Sequence, residues 1–85
     1  MQRPYPYQSQ YWVVKGFDRE KQDYIYRVAR YRSDAERLQS IWALDPEMSE
    51  VKRFHVAPEF VYEDENGLHF DEYEYGKFLN YFENM

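Results

Sequence analysis

Apolar and aromatic residues are concentrated in two stretches of the first third of the chain, as in two strands joined by a short loop. Residues 11–17 and 23–32 are rich in β-branched and aromatic side chains, and a charged connection at 18–22 separates them. Such compositions favour strands, and a five-residue connection between neighbouring strands is typical of an antiparallel hairpin. The pattern therefore predicts that the domain begins with a β-hairpin.

The two faces of the second predicted strand differ in where they carry charge. Tyr24, Tyr26 and Val28 share one face, because side chains alternate along a strand, whereas Arg27 lies in the middle of the opposite face. We therefore expect the face with Tyr24, Tyr26 and Val28 to contact the core.

A helix is predicted over residues 34–44. Ser33 and Glu36 have the spacing of a capping box, in which each side chain bonds the backbone N–H of the other residue. The helix should end before Pro46, because the residue preceding a proline avoids helical geometry. Its apolar residues recur at helical spacing and should face the core: Ala35, Leu38, Ile41 and Trp42.

The last third of the chain predicts a strand, a short hairpin and a second helix. Residues 50–56 alternate as a strand, and Asn66-Gly67 is a strong hairpin-turn signal between 60–62 and 68–70. Asp71 is placed to cap a helix over 72–83, and the aromatic residues on either side of this cap suit a hydrophobic staple. These two residues are Phe70 and Tyr75.

These elements together predict a small single α+β domain in the order ββαβββα, with an antiparallel sheet and two helices. The domain should span 11–85, and residues 1–10, with Pro4 and Pro6, should form an extended N-terminal arm. The chain has no cysteine, no apolar signal-like start and no apolar run long enough to cross a bilayer. A cytoplasmic protein without membrane contact is expected.

Composition is unusual in two respects. The chain has 18 aromatic residues, ten of them tyrosines, which is more than so small a core can hide, so some tyrosines should lie at the surface. Charge is also unevenly distributed: the net charge is about +4 over residues 1–33, −2 over 34–58 and −7 over 59–85. A basic first third and an acidic last third could attract each other within the fold or serve different partners.

Neither catalysis nor a metal or other cofactor is predicted. The glycines are isolated, so no phosphate-binding loop is present, and no serine lies in a nucleophile context. His55 and His69 lack the spacing of a zinc site, and the loop around Gly67 has tyrosines where an EF-hand requires acids.

The acidic segment suggests a protein-binding surface. Carboxylates held on a rigid hairpin and helix can imitate a row of phosphates and dock on a basic surface, with tyrosines as anchors. The partner would then be a protein with a basic surface, one that handles nucleic acid. The candidate partner-binding residues are Glu63, Asp64, Glu65, Asp71, Glu72, Glu74, Tyr62 and Tyr73.

In general character, a small acidic, aromatic-rich domain without a catalytic signature resembles phage- or mobile-element-encoded inhibitors that mimic DNA. That resemblance implies an inhibitory protein-binding role. Two alternatives stay open, a structural or homodimerising module and direct binding of single-stranded DNA or RNA. For nucleic acid, arginines would neutralise phosphates and aromatics would stack on bases, although a net charge of −5 argues against it. The candidate residues for that role are Arg27, Arg30, Arg32, Tyr24, Tyr26 and Tyr31.

Overall fold

The computed structural model describes residues 10–83, with the side chains of 81–83 left aside, so all but the last residue of the predicted N-terminal arm lies outside the described residues. The predicted α+β class and the order ββαβββα are confirmed. The elements are β1 (Tyr11–Asp18), β2 (Asp23–Ala29), α1 (Arg32–Ala43), β3 (Met48–Val56), β4 (Val61–Asp64), β5 (Gly67–Phe70) and α2 (Glu72–Glu83).

The strands form two antiparallel sheets. β1 is the central strand of a three-stranded sheet in the order β2-β1-β3, and β4 pairs with β5 in a separate two-stranded hairpin. β1 is the most buried strand because it has a neighbour on each side: Tyr11, Val13 and Val14 have no exposed surface. The chain leaves β3 at Val56 and passes through a short 3₁₀ turn at Pro58–Phe60.

Both faces of the three-stranded sheet are covered. Tyr11, Val13 and Val56 belong to a core cluster with Phe60 and Val61 on the face that meets the β4–β5 hairpin. Tyr26 and Val28 pack against this cluster, as predicted, whereas Tyr24 remains 38% exposed at the end of the strand.

Helix α1 covers the opposite face of the sheet. Trp42, half-buried as expected of a core residue, lies over Gly16, where a Cβ would come within 3.0 Å of the indole ring. Ala35 is fully buried, but Ile41 is 58% exposed, so the predicted apolar stripe is only partly covered. Part of the stripe stays exposed because a single helix contacts a twisted sheet only along a narrow line.

The predicted start of α1 is wrong. The helix begins at Arg32, its N-cap is Tyr31 in an extended conformation, and no side chain caps it. Ser33 therefore lies inside the first turn, while the Glu36 carboxylate accepts from Arg32 Nε at 2.7 Å instead of returning to the backbone. β2 accordingly ends at Ala29, three residues before its predicted end.

The predictions for the second hairpin and α2 are confirmed. Asp64 pairs with Gly67 across a two-residue turn, and Gly67 has a φ of +110°, a conformation that favours glycine. The Glu74 N–H donates to Asp71 Oδ1 at 3.1 Å, which makes Asp71 the helix cap. The Phe70 and Tyr75 rings lie 5.3 Å apart and form the predicted staple.

Candidate protein-binding surface

An aromatic cluster fixes the position of α2, and with it the acidic residues of its first turn. The Asp71 N–H donates to the Phe60 carbonyl at 2.7 Å, which ties the start of α2 to the 3₁₀ turn. Tyr75 then packs against Phe60 and Phe70, with ring centroids 5.2 and 5.3 Å away. The first turn of α2 is therefore held against the hairpin.

The hairpin turn carries one group of acids. Asp64 Oδ1 accepts from the Asn66 N–H at 2.8 Å and lies 2.7 Å from His69 Nε2. The backbone N–H and the neighbouring imidazole hold the pKa of Asp64 below its ordinary value, so this carboxylate stays charged. Tyr62 stacks on the His69 ring at 5.2 Å, and Glu65 is exposed at the tip.

The first turn of α2 carries the second group. Glu72, Tyr73 and Glu74 are exposed, and Tyr73 has 72% of its surface in contact with solvent. Lys77 Nζ lies 3.7 Å from a Glu74 carboxylate oxygen and 5.3 Å from the centre of the Tyr73 ring. A tyrosine between two acids at a helix start is thus available for contact.

The two groups lie at opposite ends of the β4–β5 hairpin. Asp64 pairs with Gly67 at the turn, and Val61 pairs with Phe70 next to α2. At about 3.4 Å per residue, the three residue steps from Val61 to Asp64 separate the groups by about 10 Å. We call the two groups together the acidic surface, which comprises Glu63, Asp64, Glu65, Asp71, Glu72, Glu74, Tyr62 and Tyr73.

The described part of the basic first third, residues 10–33, neutralises little of this surface. The acidic surface has six acids. Among residues 10–83, only Glu63 of these six forms an ion pair with a basic residue of the first third, Arg30, whose Nη2 lies 3.1 Å away. Lys77 and His69, the partners of Glu74 and Asp64, come from the acidic third itself.

The arginines and tyrosines of the alternative site do not form one surface. Register places Arg27 on the α1 face of the sheet, opposite Tyr24 and Tyr26, although its guanidinium donates to the Tyr26 carbonyl at 2.9 Å along the edge strand. Arg30 pairs with Glu63, and Arg32 pairs with Glu36 at 2.7 Å.

The tyrosines of that alternative site also have different surroundings. Tyr24 donates to Glu50 at 3.1 Å, which raises the pKa of its hydroxyl. Burial, followed by the nearby Glu72 carboxylate, raises the pKa of Tyr26. Tyr31, by contrast, is 66% exposed at the start of α1.

Part of each predicted set does meet in one groove. The groove has a volume of about 530 Å³ and runs between β2, an edge strand, and the β4–β5 hairpin. Tyr24, Tyr26 and Arg27 line it from β2, and Tyr62 and His69 line it from the hairpin. Sequence reasoning placed the β2 residues and Tyr62 in two separate sites and His69 in neither, because no local pattern shows that β2 lies beside the hairpin.

Comparison with known proteins gives no relative. No protein-family model, curated protein or solved structure matches this chain.

Within residues 10–83, no group of three or more metal-ligating side chains is placed to hold an ion. The helices of this part of the chain are too short and too polar to cross a bilayer.

Proposed function

We propose that this protein is a non-enzymatic binding domain whose acidic surface docks on the basic surface of a protein that handles nucleic acid, and so blocks it. The observation that carries the proposal is the outward display of Glu72 and Glu74 on either side of the exposed Tyr73, with Glu65 exposed at the other end of the hairpin. The proposed site of action is the cytoplasm.

Electrostatic attraction and the burial of Tyr73 would make different contributions to binding. Carboxylates of one sign on a rigid scaffold steer a positive partner over long range and raise the association rate. Tyr73 supplies a large side chain with little entropy to lose, the type of residue that dominates interface energies. Because Asp71 and Tyr75 fix the first turn of α2, both features are present before the partner arrives.

Capture experiments with charge-matched variants test this function. The chain is immobilised and exposed to an extract of the cells that encode it, as wild type, as Glu65→Lys/Glu74→Lys, and as Glu20→Lys/Glu47→Lys. Both double variants shift the net charge from −5 to about −1, but Glu20 and Glu47 are exposed outside the acidic surface. Far-UV circular dichroism of each variant verifies folding.

A nucleic-acid-binding protein should be retained by the wild type and the Glu20/Glu47 variant, released by excess duplex oligonucleotide, and lost by the Glu65/Glu74 variant. Equal retention by both double variants would show that binding, if present, depends on overall charge or another surface.

The groove between β2 and the hairpin supports a second candidate function, binding of single-stranded nucleic acid. Tyr24, Tyr62 and His69 offer rings for stacking on bases, and Arg27 offers a charge for phosphate. Fluorescence anisotropy with a labelled oligonucleotide should then show salt-sensitive binding that Arg27→Ala weakens. The same titration without any binding at low salt rules this candidate out and leaves the first unaffected.

A further inference from the structure

A second cleft lies between the three-stranded sheet and α2, outside the acidic surface except for Glu72 at its wall. Its volume is about 320 Å³, at the lower end of the range of small-molecule sites. Four aromatic side chains and two lysines dominate its lining. They are Tyr26, Phe54, Phe70, Tyr75, Lys15 and Lys52.

The two lysines lie directly opposite each other on paired strands. Lys15 of β1 is the register partner of Lys52 of β3, and like charges in this position destabilise a sheet. Lys15 Nζ rests 4.3 Å from the centre of the Tyr24 ring, but among residues 10–83 neither lysine has an acidic partner within 4.0 Å. Two cations without an ion pair to a described residue, one of them over an aromatic ring, favour an anion between them at this cleft.

Gly76 provides a second, independent observation. It lines the cleft from the middle of α2, where glycine costs about 1 kcal/mol relative to alanine. Close packing does not require it, because a Cβ at this position would have no atom within 4 Å. The missing side chain therefore leaves open space in the cleft wall, which a larger residue would fill.

We propose that this cleft binds a small planar aromatic anion, with its ring against Phe54 and Tyr75 and its acid group between Lys15 and Lys52. The ring size suits the cleft volume, and aromatic walls favour offset or edge-to-face packing with a flat ligand. Glu72, also in the lining, disfavours ligands with a second acid on that side. A nucleoside monophosphate and an aryl carboxylate share the required chemistry.

Titration with 8-anilinonaphthalene-1-sulfonate, a fluorescent aromatic anion, provides the test. The folded chain at neutral pH should bind one molecule of the dye with enhanced fluorescence. Indole-3-acetate or adenosine monophosphate should displace it. The better competitor shows whether the cleft prefers a carboxylate or a phosphate as the acid group. Displacement by neither would overturn the proposal, as would the absence of saturable one-to-one dye binding.

Three variants locate the site. Lys52→Gln should weaken dye binding about fivefold, the effect of losing one ion pair near the surface, whereas Lys21→Gln makes the same charge change in the β1–β2 turn and should have no effect. Gly76→Leu should fill the cleft and abolish binding while the urea midpoint stays the same or rises. Binding that survives both Gly76→Leu and Lys52→Gln refutes the assignment.

None of these variants alters the acidic surface. Failure of dye binding would therefore leave the proposed protein-binding function untouched, and loss of partner capture would leave this cleft untouched.

Discussion

Tyr75→Ala should detach α2 from the rest of the domain. Tyr75 is half-buried and is the central ring of the aromatic cluster beneath the helix. Its ring lies 5.2 to 6.2 Å, centre to centre, from four phenylalanine rings: Phe54, Phe60, Phe70 and Phe78. The substitution removes all four contacts and the hydrophobic staple at once.

The expected loss is large for a domain of this size. Truncation of a fully buried aromatic residue to alanine costs about 3–5 kcal/mol, and partial exposure of Tyr75 places the expected cost near 3 kcal/mol. A chain of 85 residues has a total unfolding free energy of about 4–13 kcal/mol. Tyr73→Ala is the matched control two residues away, and because Tyr73 is 72% exposed, its loss should stay within about 0.5 kcal/mol.

Urea denaturation followed by far-UV circular dichroism at 25 °C measures both variants. The unfolding free energy should fall by about 3 kcal/mol for Tyr75→Ala, with little change for Tyr73→Ala. Amide exchange in α2 should accelerate only in the first variant. A loss below about 1 kcal/mol for Tyr75→Ala, or equal losses for the two variants, would refute the idea that the aromatic cluster holds the helix.

Four further substitutions test the local packing, the helix cap and an ion-pair network. Gly16→Val should cost about 1–3 kcal/mol in urea unfolding, because the added side chain collides with Met48 and Trp42, whereas Gly76→Ala should raise stability by about 1 kcal/mol. Asp71→Ala should cost about 1 kcal/mol through loss of the α2 cap, and a change within error would contradict the capping role. The neighbouring arginines lower the pKa of Glu36 in the folded state, so its stabilisation is present above the ordinary carboxyl pKa of about 4 and lost as pH falls further. Glu36→Gln should therefore flatten the acid side of the stability–pH profile, and an unchanged slope would show that Glu36 does not contribute to it.

Local signals predicted the parts of the fold that depend on neighbours in sequence. Asn66-Gly67 marked the second hairpin because the turn needs a positive φ at glycine, and Asp71 marked the start of α2 through a bond to a residue three positions on. The start of α1 was mispredicted for the opposite reason. Glu36 Oε1 lies 2.7 Å both from Arg32 Nε and from Nη1 of Arg53, a β3 residue 17 positions further on, so two arginines hold this carboxylate and no capping box forms.

The candidate binding surface also combines features that depend on neighbours in sequence with features that depend on distant residues. That the acids would be exposed followed from their position in a turn and a helix start, but the pairing of Glu63 with Arg30 joins residues 33 apart in sequence. The juxtaposition of Lys15 and Lys52 likewise depends on the register of β1 against β3, which no pattern in the sequence specifies. Both features arise from tertiary pairing, so periodicity alone could not reveal them.

Paramagnetic relaxation of backbone amides in NMR spectra tests most directly whether the carboxyl-terminal acids face outward as a charged surface. A cationic and a neutral nitroxide probe of similar size are compared at low and high salt. The ratio of cationic to neutral enhancement should be highest at Glu65 and Glu72–Glu74 and should fall as added salt shortens the screening length to about 3 Å at 1 M. A ratio that is uniform along the chain, or highest elsewhere, would contradict the account.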